Sequence, residues 1–153
     1  MMTQKYSNPK DLYASEQERG QSLLEMALSM VILLILLAGI VDLGRVFFTY
    51  IALRDAAQEG AAFAAICPPD PDFPGNGEII SNRVKASSHF PVNMSSPNII
   101  VNSSFPTSAS PGSPVQVIVT YQNFQFIMPF LNLIDGNISA RAEDVSLQYE
   151  CPD

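Results

Sequence analysis

Met26 to Val41 is a run of 16 residues with no charge and no Pro, and with Ser29 as its one polar side chain. A helix apolar on every side has no face for water, so it must be enclosed by protein or by lipid. At 1.5 Å per residue the run covers about 24 Å, short of the ~30 Å hydrocarbon core of a bilayer. Leu23 and Leu24 extend it at one end, and Leu43 and Val46 to Tyr50 at the other. Glu25 marks the first boundary. Asp42 and Arg45 mark the second, three apart on one helix face, where they can partly neutralise each other near the interface.

Enclosure by protein would need a large apolar shell, and the 112 residues after Val41 hold few big apolar side chains outside strand-like stretches. A cleaved secretory signal fits poorly too, because the run exceeds the ~7 to 15 residues of a signal core and no small-x-small site follows it. The chain is therefore expected to be anchored by this helix, with membrane lipid as its first partner. A mean hydropathy of +0.15 with 15% charged residues excludes a disordered chain. Eight Lys and Arg against 15 Asp and Glu, net −7, leave no basic footprint for nucleic acid.

Lys5, Lys10 and Arg19 precede the span and Arg45 and Arg54 follow it, so loop charge says little about orientation. The cysteines say more. Cys67 and Cys151 both follow the helix, the even number expected of one disulfide in an oxidising compartment. That places the N-terminus in the cytoplasm and the C-terminal part outside. If the two pair, loop-closure entropy credits the bridge with roughly 4 to 5 kcal/mol; the alternative is two unpaired thiols.

Before the span the chain reads Glu18-Arg19-Gly20-Gln21-Ser22-Leu23-Leu24-Glu25-Met26, with a lone carboxylate in the first turns of the apolar helix. Such a group costs a few kcal/mol unless it is paired. Cutting between Gly20 and Gln21 would make Glu25 the fifth residue of a helix that begins with a free ammonium, and neighbouring subunits could pair the two charges. Uncut, Glu25 would be an interfacial acid favoured by the helix macrodipole.

Gly followed by four residues and Glu resembles the class III signal read by prepilin peptidases. With Gly39-Ile40-Val41-Asp42-Leu43-Gly44-Arg45 and Ala56-Ala57-Gln58-Glu59-Gly60-Ala61, the stretch from Glu18 to Ala65 resembles the TadE-like family of Tad (Flp) pilus assembly proteins. Met26 stands where that family usually has an aromatic residue, and Ala62 where it often has Arg. The resemblance implies a single-pass pseudopilin with a small exported domain. It also implies processing at Gly20, Gln21 and Glu25, and as partners other pilin-like subunits, the pilus assembly machinery and a prepilin peptidase.

No Pro occurs between Gln21 and Ile66, so one helix is expected to continue past the bilayer as a stalk. Ala52, Ala56, Gly60 and Ala64 recur every four residues, flanked by Ala57, Ala61 and Ala65, and make a stripe with almost no bulk. Either the chain's own sheet packs there or another subunit's helix does. Pro68, Pro69, Pro71 and Pro74 end the helix. Asp70, Asp72, Asn76 and Glu78 lack EF-hand spacing, so no metal is expected. Glu78 to His89 reads as a short helix with Ile80 and Val84 inward.

The period then changes to two. Asn98 to Ser103, Val115 to Phe126 and Ile138 to Tyr149 read as strands, Val115, Val117, Val119 and Tyr121 sharing one face. In the last, Ile138, Ala140 and Ala142 have one parity and Val145, Leu147 and Tyr149 the other, which predicts a bulge near Glu143 or Asp144. The expected class is α+β and pilin-like: a leader-like segment 1–20, a membrane helix and stalk 21–66, and a β-rich domain 67–153 with an antiparallel sheet of about three strands. Phe124 to Ile134 around Pro129 is too apolar for an ordinary loop. Either it folds over the core, or Phe126, Met128 and Phe130 join Glu25, Asp42 and Arg45 as an interface to membrane or subunits.

His89 has no second ligand nearby, and no Gly-x-Ser-x-Gly, Walker loop, Cys-x-x-Cys or dinucleotide fingerprint occurs. No enzyme activity or cofactor is expected. Asn93, Asn102 and Asn137 sit in Asn-x-Ser sequons, which matter only in a glycosylating host. A minor pilin or pseudopilin is the expected function. A filament-forming major pilin and a permanently anchored envelope module that binds a ligand through its β-domain are the rivals.

Overall fold

The computed structural model describes residues 9–69, 75–105, 110–128 and 136–147, with side chains from Gly20 onward and, after Pro69, from Gly77. The first element, α1, runs Pro9–Ile66. Pro suits a first helical position because its missing N–H would have no partner there. The helix thus begins eleven residues before Gly20, earlier than the expected start at Gln21, and the Gly20–Gln21 bond lies within it. It ends where it should: Cys67 N–H donates to Phe63 O at 2.9 Å, and Pro68 and Pro69 cannot continue the ladder.

The chain divides into two compact units, Met1–Ile40 and Val41–Asp153. In the first, the large apolar side chains from Leu23 to Ile40 are all exposed, and none of the most apolar window is covered by the chain itself. The helix is long and apolar enough to cross a membrane, which fits a single-pass membrane protein.

The second unit is built on α1 from Val41. After it come α2 (Gly75–Ala86), β1 (Ile99–Ser104), β2 (Pro114–Tyr121) and β3 (Ile138–Val145). The sheet is antiparallel in the order β1-β2-β3, with Val101 opposite Val119 and Val119 opposite Ala140. Val115, Val117 and Val119 are fully buried, as their alternation predicts. They pack with Ile80 and Val84 of α2 against Ala52, Leu53, Ala56, Ala57, Ala61 and Ala64 of α1. The small-residue stripe is therefore covered by the chain's own sheet and α2. Arg83 of α2 also pairs with Glu59 of α1 at 3.0 Å.

The expected bulge is absent. β2 and β3 stay in unbroken register from Pro114–Val145 to Tyr121–Ile138. The parity change at the end of β3 arises because the strand stops at Val145. Val145 and Leu147 are simply exposed, while Ser146 returns to the core and exchanges hydrogen bonds with Gly112 and Ser113. Strand formation also stops at Tyr121 rather than reaching Phe126.

Gly60 sets how closely the layers approach. A Cβ added there would lie 2.5 Å from Val84 Cγ2 and 3.1 Å from Val117 Cγ1. Gly60→Ala is expected to destabilise the second unit by about 1 to 3 kcal/mol through overpacking. Gly44→Ala, where nothing lies within 4 Å, should stabilise its helix by about 0.5 to 1 kcal/mol; denaturant unfolding of the full chain in detergent reads both.

Across the sheet, Gln116 Nε2 donates to Glu143 Oε1 at 2.9 Å, and Arg141 also bonds that oxygen. These bonds, the Gln116 one first, hold the Glu143 carboxyl below its ordinary value near 4.5. The depressed value means that the stabilisation is present above the ordinary value and is lost as pH falls through the lowered one. Glu143→Gln should flatten that part of the acid-unfolding curve, measured by circular dichroism against pH.

Candidate functional site

The residue that follows the apolar run is a buried acid. Asp42 is 2% exposed, and a carboxylate in that position needs partners to offset the loss of water. Three groups provide them. Ile127 N–H donates to Oδ1 at 2.8 Å, Met128 N–H donates to Oδ2 at 2.9 Å, and Arg45 Nη1 lies 3.4 Å from Oδ1. The pair anticipated at the boundary is present. Sequence reasoning missed the two backbone donors, which stand 85 and 86 positions further along the chain.

Arg45 completes the clamp. Its Nη1 also donates to Gln125 O at 3.2 Å, and its guanidinium carbon lies 5.1 Å from the centre of the Phe124 ring, within cation–π range. Phe124 meets Phe126 and Tyr121 edge to face at 5.2 and 6.0 Å. The segment between β2 and β3 leaves the sheet through Asn123, at φ 56°, and Phe124 N–H donates to Gly136 O at 2.7 Å, closing the neck of the loop. A Cβ at Gly136 would collide with Phe124 O, so only glycine allows that closure.

Of the apolar stretch Phe124 to Ile134, Phe124 is buried, Phe126 and Met128 are half-buried and Ile127 is exposed. Its first half thus folds back onto α1 and still presents one apolar side chain, Ile127, to the outside. Phe130, with Leu131, Leu133 and Ile134, lies outside the described residues. So do Asp70 and Asp72, and so does Cys151. Cys67 is buried and carries no free thiol. Glu25, Gln21 and Gly20 are all exposed, and the structure does not bring them together with Asp42 and Arg45. His89 is exposed, its Nδ1 3.4 Å from Asn93 Oδ1.

Beside the clamp is a cavity of about 570 Å³ lined by Arg45, Phe48, Thr49, Phe90, Val92 and Phe124. Apolar rings dominate it and Arg45 supplies its charge.

Residues 20–62 match the family model of TadE-like proteins. The TadE-like segment therefore contains Gly20, Glu25, the apolar run, Asp42, Arg45 and Gly60, and it ends inside α1 before the sheet begins. No curated protein and no solved structure matches the chain.

Asp42→Ala would leave the Ile127 and Met128 N–H groups without acceptors and release Arg45. The expected result is hydrogen exchange at those two amides faster by an order of magnitude or more, about 1.4 kcal/mol per tenfold, with Val117 and Val119 amides unchanged. Equal exchange in both proteins would show that the clamp does not hold the loop.

Proposed function

We propose that this chain is a membrane-anchored, non-catalytic pseudopilin or minor pilin that takes part in Tad-type pilus assembly. The observation that carries the reading is the match of residues 20–62 to TadE-like proteins. The exposed, all-round apolar surface of α1 from Leu23 to Ile40 supports it physically, because such a helix can exchange lipid for neighbouring helices when a subunit leaves the bilayer.

In this reading the N-terminus is cytoplasmic and the β-rich unit lies outside. A prepilin peptidase cleaves after Gly20, and Glu25 then pairs with the new Gln21 amine of a neighbouring subunit to set axial register. The continuous helix through Gly20 and Gln21 favours a second reading, in which the leader is retained and the chain stays a permanently anchored envelope module.

Cys67 and Cys151 are proposed to pair. Leu147 N–H donates to Ala65 O at 2.8 Å, and Cys151 is four residues further on, within about 14 Å of extended chain. The end of α1, where Cys67 sits, is within that reach.

Mass spectrometry of the chain recovered from a host with a Tad system separates the readings. A mature protein beginning at Gln21, together with loss of pili on deletion, is the expected result. An intact leader with normal pili would support the anchored module. Non-reducing peptide mapping of the same sample should recover Cys67 and Cys151 in one linked peptide pair, and reduction should lower thermal stability.

A further inference from the structure

The cavity beside the clamp lies wholly within the second unit. Its wall comes from Arg45 and Phe48 of α1, Phe90 and Ser96 of the segment after α2, and Tyr121 and Phe124 at and beyond the end of β2. Its 570 Å³ falls within the roughly 300 to 1,000 Å³ of small-molecule sites. Two of its rings remain largely open to water: Phe90 is 88% exposed, and Phe48 is 61% exposed although it meets Phe47 edge to face at 6.0 Å. The third, Phe124, is already fixed by Tyr121 and by the Arg45 guanidinium, so part of the wall is built before a ligand arrives.

Arg45 is the one charged residue among those that line the cavity. Its Nη1 makes the hydrogen bonds to Asp42 and to Gln125 O, and among the described residues its Nε and Nη2 make none. Those two N–H groups form the side-on fork that holds a carboxylate through two parallel bonds. Asp42 does not occupy that fork, because it stands outside the wall with its oxygens taken by Ile127 N–H, Met128 N–H and Nη1. One guanidinium with no second cation suits a single negative charge. Asp55 and Glu59 line the adjoining cavity, which shares Phe48 and Phe90, and would repel a second. We infer that the cavity binds a small monocarboxylate with an aromatic body, its carboxylate on the Nε–Nη2 edge of Arg45 and its ring among Phe48, Phe90 and Phe124. Aromatic neighbours meeting edge to face favour such a body over a saturated one.

Hydrocinnamate, a phenyl ring on a short carboxylate chain, is the probe, compared with its amide and with the amine of the same length. The full chain in phosphatidylcholine nanodiscs is titrated with each. Methyl NMR follows Thr49 and Val92 in the cavity wall, Val117 in the core and Leu33 in the apolar run. The expected result is saturable shifts at Thr49 and Val92 with Val117 unmoved, the acid binding about tenfold more tightly than the amide. Phe90→Ala, at a ring too exposed to support the fold, should weaken the acid severalfold. Arg45→Gln should abolish the preference for acid over amide, with Val117 shifts and hydrogen exchange at Ile127 and Met128 reporting whether fold and clamp survive. Equal affinity for acid and amide in the unaltered chain, or a preference for the amine, overturns the inference whatever the variants do. Shifts confined to Leu33, which signify partition into lipid, overturn it as well, as does the lack of saturable shifts with all three compounds. The pilus reading stands or falls separately, because the cavity involves neither the leader nor the apolar run.

Discussion

The second unit depends on how closely a sheet can approach a helix. Val117 and Val84 occupy the space that a side chain on Gly60 would need, and Ala56, Ala57, Ala61 and Ala64 extend the same shallow face along α1. The three strands are short, and β1 and β2 are joined through a Pro-containing connection. A small sheet of this kind has too little apolar surface to stand alone. Packing against a helix without bulk lets branched valines from β2 reach helix backbone and brings α2 into the same core. The small-residue stripe serves tertiary packing inside the chain, and this leaves the apolar surface from Leu23 to Ile40 as the part available to lipid or to other helices.

Asp42 solves a second problem at the edge of that surface. An acid beside an apolar run loses hydration, and an Arg three residues later offsets the loss only in part. The two backbone N–H groups of Ile127 and Met128 supply directed donors in addition. In return, the carboxylate ties down a loop whose side chains Phe124 and Phe126 would otherwise find water. The ion pair and the two N–H groups together satisfy a buried charge, and Arg45 gathers the aromatic cluster around it.

The strands and α2 were legible because a period of two at Val115, Val117 and Val119, and a four-residue spacing at Ile80 and Val84, are local facts about which side chains share a face. The parity change in β3 misled because it looks the same whether a strand bulges or ends, and only the pairing of Glu143 with Gln116 and of Val145 with Pro114 distinguishes the two. The residues of the clamp were half legible. Asp42 and Arg45 are neighbours on one helix turn, but their other partners are main-chain groups, and an N–H carries no residue identity by which a sequence could announce it.

The sequence by itself determined that this chain holds an uncharged helix needing a non-aqueous surrounding and three strands of alternating character, since each follows from composition or spacing over a few turns. Tertiary structure decided which surface the glycine and alanine face would meet, that the loop after β2 would turn back onto α1 at Asp42 and Arg45, and that Asp42 would be buried with partners 85 and 86 residues away. Those outcomes depend on distances between segments remote in the chain, and such distances exist only once the backbone has closed on itself.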